Sequence, residues 1–187
     1  MIIVTGTKRS GTSMWMQVLV AAGLPWIGKE FLGRWDKSIR DANPEGFYES
    51  LFRRGVFFAT NPDPKTGTFL FPRQCTHHAV KVFIPGLVRT DYAYIDRVVA
   101  TIRPWRAYCA SIQRLYEMED SFLSDLPPEE GPDGKTEQPL ERALRHRSRL
   151  HPALEWWFEN YDLIRDIATR RYPVNLVSYD KMLTDPA

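Results

Sequence analysis

Short apolar runs alternate with longer amphipathic stretches along this chain. Met1-Ile-Ile-Val-Thr5 is a run of strand length, and Ala79-Val-Lys-Val-Phe-Ile84, Arg97-Val-Val-Ala-Thr-Ile102 and Val174-Asn-Leu-Val-Ser178 are three more. They are rich in β-branched residues and do not alternate strictly, which predicts parallel strands buried on both faces. Between them apolar residues recur at helical spacing. Met14 to Ala22, Trp105 to Glu119 (behind Pro104), Leu140 to Arg149 and Pro152 to Arg171 are the predicted helices. Proline suits the first turn of the second. In the last, Leu154, Trp157, Phe158, Tyr161, Ile164 and Ile167 recur at helical spacing, and Trp156, Trp157, Phe158 and Tyr161 are expected to be core and partly covered helix surface. Strands alternating with helices predict a three-layer α/β/α domain around a central parallel sheet of about four to five strands.

Breakers divide the pattern in two places. Asp125 to Pro139 is dense in Pro, Gly and charge. It predicts a mobile loop at about 123–139 inside a single domain spanning 1–187, since loops this long are functional or disordered. Asn61 to Gly67 reads as a second loop. The chain carries no internal repeat.

Composition changes this picture little. At 187 residues and 43% hydrophobic content the chain reads as one globular domain. A net charge of +2 is too small to point to nucleic acid or a membrane surface, and no nucleic-acid partner is expected. Cys75 and Cys109 have no metal spacing and read as free thiols, which predicts a reducing, cytoplasmic compartment. No apolar run reaches the length of about 18 residues that a membrane span needs. Lys8-Arg9 ahead of an apolar stretch imitates a signal peptide, but a strand precedes the charges and the nearby glycines would then have no role.

The chemistry begins at the end of the first strand. Gly6-Thr7-Lys8-Arg9-Ser10-Gly11-Thr12-Ser13 is a glycine-bounded loop running into a helix. Loop amides and a helix N-terminus in that arrangement face an anion. The pattern G-x-x-x-x-G-K-[ST] is met at both glycines and at Ser13, but Thr12 stands where ATP-binding loops need lysine. The cations are Lys8 and Arg9 instead. A second basic point is Arg103, directly after a strand, with Ser111 eight residues on. Ligands of open parallel sheets bind at the carboxyl ends of strands, so both points are expected on one edge.

Here the chain resembles the sulfotransferases that use 3′-phosphoadenosine-5′-phosphosulfate (PAPS). Arg9-Ser10-Gly11-Thr12-Ser13 is similar to their P-K/R-S-G-T-T loop, and Arg103 with Ser111 matches their arginine–serine spacing. Asn43-Pro-Glu-Gly-Phe-Tyr-Glu49 resembles an N-P-x-G-F/W-x-E element of bacterial members, and Val177 to Pro186 resembles their R-Y-E-D-L-x-x-D-P tail. The resemblance implies a P-loop-like fold, transfer of a sulfuryl group from PAPS to a hydroxyl or amine, PAP (3′-phosphoadenosine-5′-phosphate) as product, and no metal. It implies that Lys8, Arg9, Ser10, Gly11, Thr12 and Ser13 hold the 5′-phosphosulfate and that Arg103 and Ser111 hold the 3′-phosphate. Arg9, with Lys8, would stabilise charge during transfer. The donor carries roughly four negative charges, so two separated basic points suit it.

Three departures qualify the resemblance. Phe83 stands where aryl and steroid members have a histidine base, in Lys81-Val-Phe-Ile-Pro85. The base is then expected at Glu49, with Glu45 second and His77 or His78 as outsiders. Met14 holds the place of an adenine-stacking tryptophan, and Trp15 comes one residue late. Members commonly continue past the D-P element, so either that contact is absent or the chain is a trimmed form. Trp26, Phe31 and Trp35 are candidates for the wall of an acceptor pocket. The expected acceptor is a small molecule or a glycan. A P-loop-type small-molecule kinase and a non-catalytic nucleotide-binding relative are the alternatives.

Overall fold

The structure is a computed structural model that describes residues 1–32, 39–130, 136–147 and 150–184. Seven strands are β1 (Ile2–Gly6), β2 (Trp26–Ile27), β3 (Ala79–Lys81), β4 (Arg97–Ile102), β5 (Glu129–Glu130), β6 (Thr136–Glu137) and β7 (Val174–Ser178). The α-helices, numbered in chain order, are α1 (Thr12–Ala21), α2 (Ile84–Arg89), α3 (Trp105–Ser124), α4 (Pro139–His146), α5 (Pro152–Arg170) and α6 (Tyr179–Thr184).

Five strands form the central sheet in the order β2-β3-β1-β4-β7, and every pairing is parallel. The expected parallel α/β architecture is therefore present. β1 is the middle strand, aligned residue for residue with β4 from Ile2↔Arg97 to Gly6↔Thr101. Side chains alternate between faces along a strand. On one face Ile3, Val80, Val98 and Ala100 pack with Leu87 of α2 and Leu163 of α5. On the other, Val4 and Ala79 pack with Met16, Trp15 and Leu19 of α1. Both sheet faces are thus covered, and the carboxyl ends of β1, β3 and β4 open on one edge.

Several boundaries differ from the expectation. The strand expected over 79–84 ends at Lys81, and Ile84 opens α2 instead. Pro85 explains this, because it cannot donate to a central ladder and its fixed φ suits a first helical turn. β2 was not foreseen; its two residues lie between Pro25 and Gly28 and are too few to carry a pattern. Within the loop expected at 123–139, α3 extends to Ser124, and β5 pairs antiparallel with β6. Residues 131–135 of that loop, Trp35, Arg149 and the Asp185-Pro186 dipeptide lie outside the described residues.

The largest correction concerns α5. Trp157, Phe158 and Tyr161, expected as core and partly covered surface, are each more than half exposed, as is Ile164 beside them. The inward face carries Asn160, Leu163 and Asp166. Buried polar groups with partners cost little; Asp166 and the Asn160 amide nitrogen have them, while Asn160 Oδ1 is buried without one. Tyr172 Oη donates to Asp166 Oδ2 at 2.8 Å, and Asn160 Nδ2 donates to the Trp156 carbonyl at 2.7 Å.

Candidate functional site

At the carboxyl edge of the sheet lies a cavity of about 470 Å³, lined by residues of the β1–α1 loop, α1, α3, the segment 39–54, the end of β3, Arg103 and Tyr179. That size is ordinary for a small-molecule site.

The loop is built by local bonds. Ser10 Oγ donates to the Thr7 carbonyl at 2.7 Å and shares a bond with Thr101 Oγ1 at 2.9 Å. Ser10 is therefore buried beneath the loop and does not line the cavity, whereas Lys8, Arg9, Gly11, Thr12 and Ser13 do. Gly11 sits at φ 95° against α6, where an added Cβ would lie 2.6 Å from the Tyr179 ring. Only glycine fits that approach. Arg9 also lies in the left-handed region, at φ 64°. Such a conformation in a non-glycine residue persists only where its surroundings hold it.

Two arginines meet on the β4 side. Arg103 donates from NH1 to the Arg9 carbonyl at 2.8 Å, and its guanidinium stacks 4.5 Å from the Tyr179 ring centre. Trp156 Nε1 fixes the Arg103 backbone through its carbonyl, at 2.8 Å. Arg9 Nε donates to Ser111 Oγ at 3.2 Å, and its terminal nitrogens reach the Ala42 carbonyl. Ser111 thus serves Arg9 with a lone pair, and its own hydroxyl proton remains available to another acceptor. Arg103 Nε is buried and has no partner, and neither arginine pairs with a carboxylate among the described residues. Burial, and next the charge of Arg103, hold Arg9 below the ordinary guanidinium pKa. The site concentrates positive charge that an anion would neutralise.

The β3 side is built differently. Lys81, on the sheet face that meets α1, is 3% exposed. Its Nζ donates to Glu49 Oε1 at 2.9 Å, to Ser13 Oγ at 2.9 Å and to the Phe47 carbonyl at 3.0 Å. Arg53 NH1 approaches the other Glu49 oxygen at 3.4 Å. Glu49 is held by backbone exchange with Lys29, at 2.9 and 3.0 Å. Burial lowers the Lys81 pKa from its ordinary value, and the Glu49 charge opposes that shift. The rings of Phe47 and Phe83 flank Nζ at 5.8 and 5.5 Å.

The structure thus brings Lys8, Arg9, Gly11, Thr12, Ser13, Glu49 and Arg103 to one cavity, with Ser111 bonded behind Arg9. Glu45 is exposed and outside it. His77 and His78 precede β3 and lie at the opposite end of the sheet. Met14 lines the cavity, while Trp15 turns away and donates its indole N–H to Met182 Sδ at 2.9 Å. Trp26 packs edge-on against Tyr48, and Phe31 against Phe47. Neither lines the cavity.

Lys81, Arg53 and Arg54 are site residues that the sequence pattern did not single out, and Lys81 is the one that left a signal. That signal was one charge inside an apolar strand-like run, because a charge there must be paired. Among the described residues no group of three or more His, Cys, Asp or Glu is arranged to hold a metal, and no helix is long and apolar enough to cross a membrane. No family model, curated protein or solved structure matches this chain.

Proposed function

We propose that this protein transfers a sulfuryl group from PAPS to an oxygen or nitrogen of an acceptor. The observation that carries the reading is the Arg9–Arg103 pair: two adjoining guanidinium groups at strand ends, with no carboxylate partner among the described residues. Ordinary structural arginines are paired when partly buried. A ligand with phosphate at two separated points suits this pair and the amides at the start of α1. Thr12 and Arg103 disfavour the kinase reading, which needs a lysine and a magnesium-binding carboxylate at those places.

The donor would supply the activated sulfuryl group. Arg103 and the Ser111 hydroxyl would hold its 3′-phosphate, and Arg9 with the Gly11–Ser13 amides its 5′ end. Arg9 and Lys8 would stabilise charge gathering on the transferred group and the leaving phosphate. The acceptor oxygen or nitrogen forms its bond to sulfur as the bond between sulfur and the 5′-phosphate oxygen breaks. The acceptor proton passes to Glu49, which Lys81 and Arg53 hold in place, and then to solvent. A sulfated acceptor and PAP result.

Thermal unfolding tests the reading. PAP at about a hundredfold over its dissociation constant should add about 2.7 kcal/mol, a rise of roughly 5–10 °C for a domain of this size. Stabilisation by ATP with magnesium and not by PAP would overturn it.

A further inference from the structure

The two flanks of the cavity differ in what they leave unsatisfied, and the β3 flank constrains the acceptor. Its walls around Lys81 are Phe47 and Phe83, with Ile39 in the same cavity. Both carboxylates lining the cavity are already paired, Glu49 with Lys81 and Arg53, and Glu119 with Arg147 at 3.0 Å. Arg54, beside them on the short helix Leu51–Arg54 that packs against β3 and α2, is exposed at the cavity. It makes no hydrogen bond or ion pair with any described residue.

We infer that the acceptor is an anionic amphipathic alcohol: a hydroxyl on an aromatic or apolar body that also carries a carboxylate or similar anion, with Arg54 as the residue that selects for the anion. This inference rests on the sulfotransferase reading. The rings of Phe47 and Phe83 offer apolar contact to the body of such an acceptor. A cationic amine would meet Lys81, Arg53 and Arg54 with no free carboxylate among the described lining residues to receive it, and like-charge contact is a strong means of exclusion. An exposed guanidinium offers bidentate recognition of a carboxylate.

Three phenols of one shape and different charge test this: 3-(4-hydroxyphenyl)propanoate, neutral 4-ethylphenol and cationic tyramine. Each is titrated calorimetrically into PAP-saturated protein, and each is also supplied with PAPS for turnover. The expected order of affinity is carboxylate, then neutral, then amine, with about tenfold between the first two, the scale of one charge-assisted contact. Arg54→Ala should collapse that preference by about tenfold, and Arg54→Lys should restore part of it. Equal affinities, tyramine as the best ligand, or an undiminished preference in Arg54→Ala would each overturn the inference. Failure of PAP to bind would instead remove the sulfotransferase reading. The same titrations on the free protein would then still report the selectivity of the β3 flank.

Discussion

On the β4 flank of the loop, the partners of Arg9 and Arg103 among the described residues are carbonyls, a hydroxyl and a ring face, and Arg103 Nε has none. On the β3 flank, Lys81 is closed onto Glu49 within a buried pair. Both flanks line one cavity, yet they treat charge differently. One leaves positive charge for an incoming anion to neutralise. The other closes Lys81 onto its own counterion, so that pair gains little from an added anion, and it leaves Arg54 at the cavity as the cation an acceptor can meet. On the proposed sulfotransferase reading, donor binding belongs to the first flank and proton transfer to the second, and mutation can separate the two.

The largest separation should appear in Glu49→Gln. Removing a positioned base costs about 10²- to 10⁴-fold in turnover. Glutamine keeps a hydrogen-bond acceptor for Lys81, and the donor-holding arginines are untouched, so PAP affinity should stay within about twofold of the parent. Calorimetric titration of PAP also shows that the variant is folded. Unchanged turnover in Glu49→Gln would break the assignment of the base. A large loss of PAP affinity would break the division between flanks.

Arg103→Ala should show the converse. Charge-assisted bonds to a phosphate contribute about 1.5–3 kcal/mol, so PAP affinity should fall roughly 10- to 100-fold. Because Arg103 also supports the Arg9 carbonyl, the loop geometry is at stake as well as one contact. Arg103→Lys separates these, since lysine keeps the charge but not the fork. If the loss arises from the fork, the lysine variant recovers little. Full recovery by lysine would show that charge alone matters at this point.

The two flanks were unequally legible in the sequence. The β4 flank is written in local signals: a strand, two glycines, cations between them, and an arginine at the next strand end. Each signal names a position on the sheet edge, so Arg9 and Arg103 could be brought together on paper. The β3 flank depends on a tertiary contact. Glu49 reaches Lys81 across 32 residues of sequence, through a segment with only short 3₁₀ turns and an isolated bridge to Lys29. No periodicity encodes that approach. The parallel sheet was legible for the same local reason as the loop, while β2 was too short to leave a pattern. The face of α5 was misread because hydrophobicity alone ranked Trp157 and Tyr161 above Asn160 and Asp166. Partners such as Tyr172 and Trp156, which make those polar residues burial-competent, are invisible to a periodicity argument.

The smallest expected effect concerns Lys8, which stands between the flanks in character. It lines the cavity but is exposed, and it is also the cation that lowers the pKa of Glu159 on α5. Burial, and then the charge of Glu155, nonetheless raise Glu159 from 4.5 to about 7. The folded chain therefore binds an extra proton between those values that the unfolded chain has released. Stability from this group is fully present below about pH 4.5 and is lost as pH rises through 7. Glu159→Gln should flatten the decline in Tm between pH 5 and 8, and Lys8→Ala should shift the decline to higher pH by removing the favourable cation. Being exposed and screened, Lys8 should cost less PAP affinity on replacement than Arg9. A Lys8→Ala variant that leaves the Tm–pH curve unmoved while losing as much PAP affinity as Arg9→Ala would place Lys8 wholly with the donor-binding flank.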